Sequence, residues 1–243
     1  MDYIEAMATK TTRSRTVSRP QPRGEDVRQK LLDAAIAVFG RYGFDGASTR
    51  MLAKAADVNL QAIPYYFGGK EGLYLAAADH ITERIRVFAG PVGVKIRARL
   101  AAQQAGEALS PDEARALLIE LLETMAHLMT NEESAAWARF IVAEQMEPTE
   151  AFERIYRNMM SRLMEAGRGL LGVILDEDPE SEAVRLRAVA LMGQILVFRV
   201  ARAAVTRQLG WQEIGPREFS GIRELIRRAV DALSPAERRV EAS

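Results

Sequence analysis

The 243-residue sequence contains no cysteine and only two histidines. The first absence excludes disulfides and thiolate metal sites, and the second leaves too few imidazoles for a histidine-rich metal site. Long apolar runs are missing as well: no stretch reaches the roughly 18–20 apolar residues that a bilayer span requires. No apolar block precedes Val27, so nothing resembles a secretory signal. A soluble cytoplasmic protein without a membrane partner is expected. Sustained period-two alternation of β-branched residues is absent, and the expected fold class is all-α. The sequence also lacks a Gly-rich phosphate loop, a His-Glu-x-x-His pair and a nucleophile elbow. The expectation is a protein that is not an enzyme and uses no cofactor.

Net charge is lacking too, since the 33 basic and 33 acidic residues cancel. The balance conceals an uneven distribution. Between Lys10 and Lys70 eleven Lys/Arg face five Asp/Glu, a surplus of +6, while residues 1–9 carry −2 and the remainder −4. A basic end joined to a mildly acidic body suits a nucleic-acid reader with a separate sensing domain. Residues 1–24 hold Pro20, Pro22 and five basic residues with few apolar ones, which predicts a disordered basic arm. Such an arm is either a solvated tail or an additional contact to phosphate or the minor groove.

What the sequence does contain is a compact two-helix pattern from Ser48 to Gly72. Ser48 is a natural N-cap, and Leu52, Ala53 and Ala56 follow at helical spacing. Asp57-Val58-Asn59 breaks the run with turn-tolerant residues around one hydrophobe. A second helix over 60–67 places Ile63 and Phe67 inward and leaves Gln61, Ala62, Tyr65 and Tyr66 outward. A short supported helix showing polar and aromatic groups is the geometry of a helix-turn-helix, whose second helix enters the major groove. A preceding helix over 25–42 carries Val27, Leu31, Ala35, Val38 and Phe39 as one apolar stripe and ends at Gly43.

The pattern Ser48-Thr49-Arg50, Leu52-Ala53, Val58, Tyr65-Tyr66-Phe67, Lys70-Glu71 and Leu73 resembles the DNA-binding domain of the TetR family of transcriptional regulators. The resemblance covers about residues 25–75 and includes the Tyr42-Gly43-Phe44 corner. By chemistry, Gln61 can hydrogen-bond a base edge, Ala62 can meet a thymine methyl, and Tyr65 and Tyr66 can donate to phosphate. The resemblance implies that Thr49 and Arg50 contact phosphate and sometimes a base, and that Lys70 clamps a phosphate. Two positions depart from the pattern. Leu60 stands where many members carry a polar base reader, and Pro64 lies inside the recognition helix, where its ring offers a contact for a thymine methyl. Pro64 should also remove one amide donor to the carbonyl of Leu60.

Beyond Lys70 the expected domains are a helix-turn-helix domain over 25–71, a helical effector-binding and dimerisation domain over 72–233 and a flexible tail over 234–243. Helices are expected over 71–88, broken at Gly90-Pro91 and Gly93, then over 94–109, 110–130, 132–146, 149–175, 182–209 and 217–233. Ser110-Pro111-Asp112-Glu113 is a clear helix start. The stretch from Glu144 to Phe152 resembles the second domain of the CecR-like branch of the same family. Residues 188–201 have only Gln194 and Arg199 as polar side chains, so that helix must be buried nearly all round. It is expected to pair with the preceding long helix in a four-helix bundle at a homodimer interface.

Effector-pocket candidates are polar groups out of place among hydrophobes, namely His127, Gln145, Tyr156, Gln194 and Arg199. Adaptable lining would come from Met125, Trp137, Phe140, Met159 and Met160. Together these observations predict a homodimeric regulator, a repressor bound to a pseudo-palindromic double-stranded DNA operator and released from it by a small-molecule effector. A ligand-independent DNA-bound interaction protein, or an all-helical enzyme or carrier, are the alternatives.

Overall fold

The computed structural model describes residues 23–235; most of the expected basic arm and of the expected tail lie outside them. Among the described residues all regular structure is helical. Helix α1 (Arg23–Gly46) opens with Glu25 and Asp26 at its positive end and bends at Gly43. There φ is 70° and ψ 179°, a region open in practice only to glycine. Helices α2 (Thr49–Ala55) and α3 (Ala62–Phe67) complete the N-terminal unit. Leu31, Ala35, Phe39, Leu52 and Ile63 close its core, all fully buried.

Helix α4 (Lys70–Gln104) runs from this unit into the body as one element of 35 residues. A break was expected at Gly90-Pro91-Gly93, and none occurs. The apolar stripe explains why: Ile81, Ile85, Val92 and Ile96 are all buried, so the inner face continues through the interruption. Burial of Val92 and Ile96 at roughly 1.5–3 kcal/mol each offsets the roughly 3 kcal/mol cost of an interior proline. The ring of Pro91 is exposed. Val87, whose carbonyl loses its amide partner, is 67% exposed, so that carbonyl is not sealed in the core.

The body is built around α5 (Pro111–Thr130), whose Ser110 cap accepts from the amide of Glu113 at 3.2 Å. Around it pack α4, α8 (Ser161–Leu175), α9 (Glu182–Val200) and α11 (Pro216–Asp231). Helices α6 (Ala135–Met146) and α7 (Glu150–Ile155) lie against α1 and α4. Between α7 and α8 the helix widens into one π turn, Tyr156–Met160. The single helix expected over 182–209 is divided at Ala201 into α9 and α10 (Arg202–Leu209), which meet at 82°. Among the described residues no single helix is long and apolar enough to cross a membrane.

Candidate nucleic-acid interface and body cavities

The end of α2 passes into the turn of the reading head through backbone hydrogen bonds. Val58 N–H donates to Ala53 O at 3.0 Å and Asp57 N–H to Lys54 O at 3.2 Å, while Asp57 takes a left-handed φ of 52°. Asn59 Oδ1 then accepts from the amide of Gln61 at 2.9 Å and tightens the turn before α3, which begins at Ala62 rather than at Leu60. The late start dissolves the expected cost of Pro64. The proline falls in the first turn, and the carbonyl of Leu60 accepts from Ile63 N–H at 3.3 Å, so no acceptor is orphaned. Gly68 ends the helix with φ 75° and donates back to Pro64 O at 3.0 Å.

On this frame Arg50, Leu60, Gln61, Pro64 and Tyr65 are exposed, Tyr65 at 81%, while Thr49, Ala62, Tyr66 and Lys70 are half-buried. Tyr65 and Tyr66 stand edge to face with ring centres 4.8 Å apart. A concavity of about 760 Å³ runs between the turn and the outer side of α3, lined by Asn59, Gln61, Ala62, Pro64 and Tyr65. Lys70 Nζ sits 4.3 Å above the ring of Phe44, which holds the ammonium at the start of α4.

In the body, two cavities adjoin along α4 and α8. One of about 210 Å³ is walled by α4, α5, the π turn and α8 and brings together Met125 and Met159. The other, an open cleft of about 1010 Å³, lies between the C-terminal half of α4 and the α8–α9 turn. The remaining candidates do not converge on either. His127 is stacked on Phe88 at 5.6 Å and abuts Phe219 at 5.4 Å. Trp137 lies under Arg84, Phe140 is buried on Tyr74, and Tyr156 stacks on Phe152. Gln145 and Gln194 are exposed. Arg199 donates to the Asn131 carbonyl and to Ser134 Oγ, and burial pulls its pKa below the usual arginine range.

Two family models match the chain. Residues 31–77 match the bacterial regulatory proteins of the tetR family, and residues 114–236 match the C-terminal domain of the HTH-type transcriptional dual regulator CecR. The HTH-type transcriptional dual regulator CecR of Shigella flexneri is 32% identical over 213 residues, 87% of this chain and 92% of the relative. The chain belongs to the TetR family. It is a DNA-binding transcriptional regulator. Solved structures agree on the fold. The hemolysin II transcriptional regulator HlyIIR superposes with a TM-score of 0.58 at 19% identity, over 86% of this chain and 98% of that one. FadR from Bacillus subtilis, in complex with stearoyl-CoA, gives 0.56 at 17% identity over 84% and 97%.

In this TetR-family chain the joint between reading head and body is organised by a carboxylate that sequence reasoning did not single out. Glu144 of α6 is 2% exposed. Its Oε1 accepts from the Tyr74 hydroxyl, and its Oε2 accepts from Phe152 N–H at 2.8 Å, Thr149 Oγ1 at 2.8 Å and Thr149 N–H at 3.2 Å. The charge therefore sits at the amide end of α7 while gripping the second turn of α4. Burial and this hydrogen bond push the Tyr74 phenol well above its ordinary pKa. The Tyr74 ring packs edge-on to Phe39 at 4.7 Å and to Phe44 at 5.0 Å, and against Phe140 at 4.7 Å. Arg154 adds a second tie from α7 to α4 through Asp79 at 3.0 Å. The available signal was the Glu144–Phe152 stretch, read only as a branch resemblance.

Proposed function

We propose that this chain is a homodimeric repressor that holds a pseudo-palindromic operator and releases it when a small molecule occupies the body. The observation that carries this reading is the mechanical continuity of α4. Its first turn supports the reading head, its second is gripped by Glu144, and its middle walls the 210 Å³ cavity. An occupant that favours another position of α4 changes where the head sits. It does so only to the extent that it binds the two positions with different affinity. Gln61 and Ala62 read bases, with Leu60 and Pro64 offering apolar contacts, while Thr49, Arg50, Tyr65, Tyr66 and Lys70 hold the backbone.

Dimerisation is supported by an apolar stripe on α9. Leu186 is 62% exposed, Val189 59%, Val197 40% and Val200 58%, with Ala190 and Gly193 between them at helical spacing. An exposed stripe of this kind marks an interface. Helix α8, expected to share the seam, turns Leu170, Leu171 and Ile174 into its own core, so the seam is assigned chiefly to α9.

The Shigella flexneri relative is a dual regulator, which supports a second reading, in which the bound protein also activates some promoters. The experiment is selection of random duplex DNA by the purified protein at near-physiological salt, followed by a promoter reporter carrying the selected site at several positions. A pseudo-palindrome of fixed spacing that lowers transcription at every position supports the repressor. Raised transcription at an upstream position supports the dual regulator, and recovery of no preferred sequence rejects both.

A further inference from the structure

The smaller body cavity has an unusual balance of charge. Its apolar wall is Ile85, Leu121, Met125, Met159 and Leu163, and its lining includes three arginines and no acidic residue. Arg86 is committed elsewhere, donating from Nε and Nη2 to Glu83 at 2.7 and 2.6 Å. Arg97 of α4 and Arg162 of α8 are exposed, and neither enters an ion pair found among the described residues. Other body arginines do: Arg99, Arg154, Arg168, Arg187 and Arg202 each hold a carboxylate within 4 Å. Arg97 and Arg162 line the large cleft as well as the small cavity, so they stand where the two meet. A Cβ on Gly93 would lie 3.3 Å from Arg97 Nη1, so the guanidinium is folded back along α4 over a residue without a side chain.

The backbone around this point departs from α geometry. The π turn places Asn158 and Met159 in the wall, and π segments recur at functional sites. Methionine adapts to irregular apolar shapes. Farther along the cleft the sign reverses, with Glu165, Asp176, Asp178 and Glu180 in the lining. A ligand with an extended polyanionic portion would meet these carboxylates, whereas a compact head would stop at the arginines.

We propose that this cavity binds an amphipathic anion, with a short apolar body between Met125 and Met159 and a single carboxylate held by Arg97 and Arg162. The proposal rests on the effector-released reading above and gives its ligand a chemical class. A volume of about 210 Å³ lies below the roughly 300–1000 Å³ of drug-sized sites, which favours a short chain. Two planar forks lining one cavity can offer a carboxylate charge-assisted hydrogen bonds that an alcohol or an amine cannot reproduce.

The test is calorimetric titration of the full-length protein with octanoate, octan-1-ol, octylammonium and octanoyl-CoA, repeated on the Arg97→Gln/Arg162→Gln double variant. Octanoate is expected to bind at least about tenfold more tightly than each of the other three, a difference of about 1.4 kcal/mol. The double variant is expected to bring octanoate down to the alcohol's affinity and leave the alcohol unchanged. Because both arginines are exposed and enter no ion pair among the described residues, the melting temperature should stay that of the wild type. No octanoate binding, equal binding of acid and alcohol, tighter binding of octanoyl-CoA, or an acid preference that survives the double substitution would each overturn the proposal. A parallel anisotropy titration on the selected operator separates the two levels. Arginine-dependent octanoate binding that leaves DNA bound keeps this site and rejects effector release. Release by octanoate that ignores the double substitution rejects this site and keeps effector release.

Discussion

At the scale of single residues, the reading head divides groups that can carry sequence information from groups that position the duplex. Gln61 is exposed next to α3 with its backbone amide already held by Asn59, so its side chain is free to read a base edge. Lys70 is held over Phe44 at the start of α4 and is assigned, under the proposed function, to the phosphate backbone. Replacing Lys70 with alanine should weaken binding to all sequences alike and reduce the salt slope by about 1. Replacing Gln61 with alanine should cost about 1–3 kcal/mol at one base pair and leave the slope unchanged. Salt-titrated anisotropy on the operator and its single-base variants checks both, and indistinguishable variants would dissolve the division. Tyr66 is a poorer probe, because its hydroxyl lies against Gly24 of α1 and its removal disturbs packing too.

His80 makes a second residue-scale prediction. Its Nε2 lies 3.1 Å from Gln29 Nε2 and 3.7 Å from Asp33 in the α1–α4 joint. Burial pulls its pKa below the usual histidine value; the nearby Arg84 and Arg28 add to that, and Asp33 opposes it. The unfolded chain therefore binds this proton more readily than the folded one. The contribution is fully present above the unfolded value of about 6.5 and is lost as the pH falls below it. The urea midpoint should drop between about pH 7.5 and about pH 5.5, and His80→Gln should flatten that part of the profile. An unchanged profile in the variant would assign the drop to other groups.

At the scale of elements, Glu144 ties α6 to α4 and α7 through four hydrogen bonds from three residues. Glu144→Gln keeps the shape but turns an amide NH₂ toward donors and removes the charge at the end of α7. A loss of about 3 kcal/mol is expected, or roughly 6–12 °C in melting temperature. Tyr74→Phe removes one donor and leaves the carboxylate its other three, so it should cost about 1 kcal/mol. If the phenylalanine variant were the weaker of the two in thermal unfolding, the aromatic packing of Tyr74 and not the carboxylate would hold the joint.

These elements also show what the sequence could and could not convey. The caps at Ser48 and Ser110 and the inward set of the reading head were legible, because each is decided within one turn of chain. The continuity of α4 was not, since Pro91 and its glycines speak locally for a break while burial of Val92 and Ile96 decides otherwise from outside the window. Effector candidates suffered in the same way. Periodicity gives the apolar face of a helix but not which faces meet, so only Met125 and Met159 of those named share a cavity. Arg97 and Arg162 are exposed residues, and only the packing of α8 beside α4 brings both to one cavity.

At the scale of the whole molecule, the basic N-terminal end and the exposed stripe of α9 fit the proposed dimer, two weak reading heads joined through their bodies. Joining makes engagement of the second half-site intramolecular, so the pair exceeds either head by roughly 10²–10⁴-fold. Val189 lies in the middle of the stripe, 59% exposed and clear of the protomer core. Val189→Arg should therefore leave the fold of each protomer intact, within about 0.5 kcal/mol. Across a two-fold seam it places two like charges close together in an apolar setting, which costs several kcal/mol of association. Light scattering should then show a monomer with wild-type helicity. Operator affinity should fall by the joining factor while affinity for an isolated half-site stays the same. A variant that remains dimeric, or that loses half-site binding as well, would move the seam away from α9.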